Sequence, residues 1–167
     1  LENIFAREHH TKYANMRVRA MLEGLEGRGV SVPQFGGPWF HYGMHDGIVF
    51  ANMTRTQAQI GDAKTASQME CKLREEAHRL MALLREYIPE FRESYLLETA
   101  VQAGYRETRH IHGAYILTGE DILSHRRFED AIAQTAHPID VHRAEGTGQD
   151  VRFLEDTGFI PYGSLFA

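Results

Sequence analysis

Residues 95–142, YLLETAVQAGYRETRHIHGAYILTGEDILSHRRFEDAIAQTAHPIDVH, decide how the rest of the chain is read. They hold the clearest strand patterns and the densest group of candidate functional side chains. Between Tyr105 and Leu117, β-forming residues alternate with polar ones. A strand there would set Arg106, Thr108, His110 and His112 on one face and Glu107, Arg109 and Ile111 on the other. Residues 95–102 read as its antiparallel partner, with Gly104 at the turn or bulge between them. Thr118 and Asp121 then give a cap-like start to a short helix running to about His125. Residues 128–135 could add one further turn or two. Residues 136–142 are extended, which places Asp140 and His142 on one face.

Upstream, Ala14, Val18, Met21, Leu22 and Leu25 step by three and four, so residues 2–26 are expected to form an amphipathic helix that Gly27 and Gly29 end. Residues 31–47 read as a loop, because Pro33, Gly36, Gly37, Pro38, Gly43 and Gly47 punctuate its aromatic residues. Residues 47–54 read as a buried strand. A second long helix starts at a capping signature formed by Thr65 and Gln68. Its apolar stripe is Met69, Leu73, Ala77, Leu80, Leu84 and Ile88, and Pro89 stops it. Its polar face, with Lys72, Arg74, Glu75, Glu76 and Arg79, reads as a solvated surface. The element order predicts an α+β fold, a mixed or mostly antiparallel sheet covered by two long helices.

The chain has 167 residues, 43% of them hydrophobic and 25% charged. That length predicts one domain over residues 1–167 with a real core, since folding at this size hides roughly 70% of the unfolded surface. With 23 acids against 18 basic residues and a net charge of −5, a surface that tracks nucleic-acid phosphates is not expected. No apolar run approaches the roughly 18 residues of a membrane span, and no basic-then-apolar leader opens the chain, so a cytoplasmic protein is expected. It opens at Leu1 without a methionine, as a piece of a longer protein would, a cleaved start being an equally simple explanation. Cys71 is the single cysteine, which rules out an internal disulfide and a thiolate zinc cage. Its place in a helical pattern predicts a packed, inert thiol.

Several residues admit two readings. Arg106 with Glu107, or Glu98 with Arg109, could be cross-strand ion pairs. Asp140 could orient an imidazole on a neighbouring strand, or it could make a sheet-edge hydrogen bond. His110, His112 and His142 could form a three-histidine metal site, although no acidic ligand lies nearby in that run. A stand-alone histidine-rich metal enzyme and a non-catalytic interaction module therefore remain as alternatives.

The run also resembles a known family. Gly104, Arg106 to Arg109, Ile111, Gly113, Tyr115, Leu117, Thr118, Phe128, Asp130 to Ile132 and Pro138 to His142 are similar to the middle segment of a large bacterial family of FAD-dependent oxidoreductases with a two-part body. The similarity extends to residues 47–55 and 160–165, about two-thirds of the chain. His110 and Gly163 stand where that family more often has arginine. A dinucleotide-binding fold needs a strand, a G-x-G-x-x-G turn and a helix N-terminus to receive the pyrophosphate. Gly27-Arg-Gly29 follows a helix, and Gly146-Thr-Gly148 lacks the third small residue. The resemblance therefore implies a substrate-side (capping) domain that covers FAD held by a separate flavin-binding domain of a larger protein. It also implies a small-molecule substrate and no tight FAD binding by this chain alone. Arg109, Arg106 and His112 become the candidate catalytic residues, because arginine's planar fork suits a carboxylate or oxyanion and histidine can move a proton near neutral pH. Asp140 and His142 become candidates for substrate binding.

Overall fold

The computed structural model describes residues 10–57, 61–105, 110–142 and 149–167. The chain forms two compact units, residues 1–104 and 105–167.

In the first unit, helix α1 (His10–Glu26) follows the apolar spacing read from the sequence. Ala14, Val18, Leu22 and Leu25 are fully buried. The helix ends in a Schellman turn, where Val30 N donates to Leu25 O (3.1 Å) and Gly29 N to Glu26 O (2.9 Å). Gly29 takes φ +80°, a conformation in which a Cβ would be strained.

Residues 31–47 are not a loop. They contain strand β1 (Phe35–Tyr42), paired antiparallel with β2 (Val49–Thr54) from Phe35↔Thr54 to Tyr42↔Val49. The aromatic residues favour a pleated, half-buried surface. The breakers Gly37 and Pro38 are tolerated because they fall where the register shifts between Phe35 and Trp39. Asn15 Oδ1 accepts from Phe40 N (3.1 Å), which ties the hairpin to α1. β2 was expected to be buried, yet only Met53 is; the hairpin turns its other face to water.

Helix α2 (Ala63–Tyr87) starts two residues before the Thr65 of the expected capping signature. Its cap is Asp62, whose carboxylate accepts from Thr65 N (2.9 Å) and Thr65 Oγ1 (3.1 Å). Leu80, Leu84 and Ile88 are buried, while Met69 and Leu73 are only partly so. Pro89 ends the helix as expected and opens a 3-10 turn, Pro89–Phe91, whose Phe91 ring lies 6.0 Å from that of Phe40. The core therefore joins α1, the hairpin, the second half of α2 and this turn. Cys71 is exposed, not packed, because it sits two positions past Met69 and so off the apolar stripe.

Residues 95–102 form no strand. From Tyr95 to Ala100 no backbone group is hydrogen-bonded among the described residues. Side chains of α2 hold the segment instead: Arg74 donates to Thr99 Oγ1 and to Val101 O, and Glu70 accepts from Ala103 N. The polar face of α2 is thus a clip as well as a solvated surface. Tyr95, Leu97 and Val101 are left 74%, 61% and 95% exposed.

In the second unit, helix α3 (Gly119–Leu123) has the predicted capping box, with Thr118 and Asp121 each bonding the other's backbone N–H. Strand β3 (Ala131–Thr135) replaces the turns expected there. Its partner is β6 (Gly158–Pro161), a distant segment that local pattern cannot reveal. Between them β4 (Ile139–His142) pairs with β5 (Gln149–Arg152). The expected strand over residues 105–117 is absent from residues 110–117. Their backbone makes two separate bonds to the chain's last turn, Ala114 N to Phe166 O and Tyr115 N to Gly163 O (both 2.9 Å). A Cβ on Gly113 would lie 2.8 Å from Gly163 O, so the close approach requires glycine. The fold is α+β with two long helices, as the sequence predicts, and the described strands make three two-stranded antiparallel ladders.

Candidate functional site

Arg106 and Arg109, with Glu107 and Thr108 between them, lie outside the described residues. His112 is exposed, follows irregular backbone into Gly113 and makes no hydrogen bond among the described residues. The strand-face assignment made from alternation therefore does not apply to His110 and His112. β4 carries both Asp140 and His142, opposite Val151 and Gln149 respectively; the His142 side chain lies outside the described residues. Asp140 Oδ1 is sealed from solvent and has no hydrogen-bond partner among the described residues. No group of three metal-ligating side chains occurs among the described residues.

What the geometry brings together is a network that alternation did not reveal. Asp121 is only 5% exposed. Its Oδ2 accepts from Thr118 Oγ1 (2.7 Å), Thr118 N (2.9 Å) and Tyr115 Oη (2.9 Å), and its Oδ1 from Arg126 Nη1 (3.0 Å). The same Arg126 nitrogen donates to Tyr115 Oη (2.9 Å). The guanidinium lies over the Tyr115 ring (5.4 Å) and the Phe128 ring (5.1 Å), which meet edge to face. Hydrogen bonds from Thr118, side chain and backbone, then from Tyr115 and Arg126, hold the Asp121 carboxyl well below the usual carboxylate range. Burial and the bond to Asp121 push the Tyr115 phenol up, and the Asp121 bond pushes Arg126 up.

A carboxylate with four donors has no free site to take a proton from a substrate, so Asp121 braces the fold. Asp130 acts similarly. Its Oδ2 accepts from Gly163 N (2.8 Å) and its backbone O from Tyr162 N (2.9 Å), which fixes the final turn. Gly113, Tyr115, Thr118, Phe128 and Asp130 thus owe their spacing to architecture. The Thr118-x-x-Asp121 capping signature was the one sequence sign of it.

One family model matches the chain, that of the FAD dependent oxidoreductases, over residues 4–167. No curated protein and no solved structure gives a match. No helix among the described residues is long and apolar enough to cross a membrane.

The family implies FAD as cofactor. A dinucleotide pyrophosphate is usually received by free N–H groups at a helix N-terminus that follows a parallel strand. Here the first turn of α2 is closed by the Asp62 carboxylate, and that of α3 by Thr118 and Asp121. Both carboxylates repel phosphate, and every described ladder is antiparallel. Neither of these two N-termini is set to receive a pyrophosphate. The family match nevertheless runs from residue 4 to the last residue, and the chain belongs to the FAD dependent oxidoreductase family.

Proposed function

We propose that this chain is the substrate-facing, capping part of an FAD-dependent oxidoreductase, with the dinucleotide held by a flavin-binding domain formed by other residues of the full protein. The observation that carries this reading is the closure of α2 and α3 by their own carboxylates in a chain of this family. The exposed Tyr95, Leu97 and Val101 support it, since apolar side chains gathered along an unpaired segment suit a covering partner. The partners in this reading are the flavin-binding domain and a small-molecule substrate, with no role for nucleic acid or membrane.

When bound, FAD supplies the hydride acceptor. This chain's task is then to bind and orient the substrate. Arg109 and Arg106, carried over from the family motif, would hold a carboxylate or developing oxyanion through the arginine fork. His112 would move a proton at the substrate, and its exposure leaves the ring accessible. Asp140 and His142 would bind substrate from β4.

Two measurements test the proposal. The purified full-length protein should carry flavin visible by absorbance, and this chain alone should be colourless; stoichiometric flavin on the chain overturns the capping role. In the full-length protein, Arg109→Lys should keep flavin and thermal stability while turnover falls at least about tenfold, because removing an oriented donor of this kind typically costs roughly 10²- to 10³-fold. Unchanged turnover passes the role to Arg106.

A further inference from the structure

The outer face of the β1–β2 hairpin is built of four side chains that the core does not use. Strand alternation sends Phe40 and Met53 inward, where they are buried, and leaves Trp39, His41, Phe50 and Asn52 on the other face. Trp39 and Phe50 are 48% and 56% exposed. The ladder sets Trp39 opposite Asn52 and His41 opposite Phe50. Each aromatic ring therefore faces a polar side chain, and the two rings are diagonal neighbours, roughly 7–8 Å apart. The indole is seated, because a Cβ on Gly37 would lie 2.8 Å from Trp39 Cδ1 and the ring edge rests against bare backbone instead. The Asn52 and His41 side chains are exposed and make no hydrogen bond among the described residues.

Chemistry narrows the occupant. Neither strand carries Asp, Glu, Lys or Arg, so the face offers no charge to a phosphate, a carboxylate or an ammonium group. A wholly apolar partner such as a lipid surface would cover the rings but strip water from Asn52 and His41 without replacing it. A pyranose ring meets both demands. Its flat side presents C–H groups, whose slight positive charge suits the negative face of an aromatic ring. Its rim presents hydroxyls that donate and accept, as the amide and the imidazole require.

We infer that the outer face of the hairpin is a platform for a neutral saccharide, stacked on Trp39 and Phe50 and hydrogen-bonded by Asn52 and His41. Nothing in this rests on the capping reading, and the binding forms or breaks no covalent bond.

Trp39 is the single tryptophan, so the fluorescence of this chain reports the platform directly. Methyl β-glucoside, methyl β-galactoside and cellotetraose are the probes. At least one should shift the emission saturably to the blue, with a Kd of about 1 mM or tighter. Phe50→Ala should weaken that Kd at least about tenfold and Asn52→Ala about three- to tenfold, as for loss of a stacked ring and of a hydrogen bond. Both side chains are exposed, so neither variant should move the thermal midpoint. Phe50→Tyr, which keeps the ring, should bind, and Phe50→Leu, which does not, should bind far less; this pair decides the matter if Phe50→Ala fails to fold. No shift with any probe at about 50 mM overturns the inference. A sugar shift that Phe50→Leu and Asn52→Ala both retain places the sugar elsewhere and overturns it too. So does a shift given only by adenosine or FMN, which makes the occupant a planar aromatic ring, or an emission that moves with protein concentration alone, which makes it a second copy of the chain.

Discussion

The two units hold themselves together by different means. In residues 1–104 a continuous apolar cluster joins both long helices, the β1–β2 hairpin and Phe91. In residues 105–167 the large apolar side chains buried among the described residues are Pro161 and, at the edge of burial, Ile122, and much of the described bonding is polar: Asp121 with Thr118, Tyr115 and Arg126, and Asp130 with Gly163. An apolar core gains from removing area from water and is indifferent to pH. A polar brace depends on every donor and acceptor staying in place and charged. Mutations should separate the two.

The largest effect is expected in the first unit. Leu80 is 2% exposed, in the middle of the α2 stripe, so Leu80→Ala should cost about 2–5 kcal/mol in a denaturant titration. An unchanged midpoint would mean that the cluster does not carry the unit. In the second unit, Asp121→Asn should lower the thermal midpoint by several degrees at neutral pH. Because the folded carboxyl titrates below its unfolded value of about 3.9, the stability it contributes is present above that pH and is lost as pH falls further. The gap between wild type and Asp121→Asn should therefore close below about pH 4, whereas the gap for Leu80→Ala should not. A gap for Asp121→Asn that persists in acid would remove the distinction.

Smaller effects sharpen the same contrast. Gly113→Ala drives a Cβ to 2.8 Å from Gly163 O and 3.0 Å from Tyr115 O, both backbone atoms. A loss of about 1–3 kcal/mol is expected in calorimetry. His125→Gly should do the opposite. His125 holds φ +55° as the left-handed residue of a Schellman turn, in which Arg126 N donates to Asp121 O (3.0 Å). Glycine relieves that conformation at a gain of about 0.5–1 kcal/mol, unless loss of the His125 Nδ1 contact with Thr157 O (3.3 Å) cancels it.

The same contrast explains what the sequence revealed. Both long helices were legible because burial on one face imposes a period of 3.6, and Gly29, Pro89 and Thr118 mark ends whose chemistry is local. Strand β1 was hidden because its glycine and proline, read as loop residues, occupy a register shift visible only beside β2. β3 was misread because its partner lies near the chain's end. Cys71 could have been placed correctly by asking which side of the Met69–Leu73 stripe it faces. Of the candidate site, Asp140 was singled out by its spacing from His142, but an oxygen without a donor is a property of packing and leaves no trace in sequence. The network around Asp121 joins residues 115, 118, 121 and 126, which follow neither a strand nor a helix period throughout.

The segment held to α2 by Arg74 and Glu70 has a further consequence. Amides that have only water as partner exchange their hydrogens at rates close to those of an open chain, so residues 95–100 should label early while the amides of α2 beneath them stay protected. Proteases commonly take substrates as extended strands added to their own edge, and Tyr95 and Leu97 offer an aromatic and an aliphatic side chain already exposed on unpaired backbone. A cut there separates the last core residue of the first unit, Phe91, from the Arg106–Arg109 motif without breaking one contact of that core.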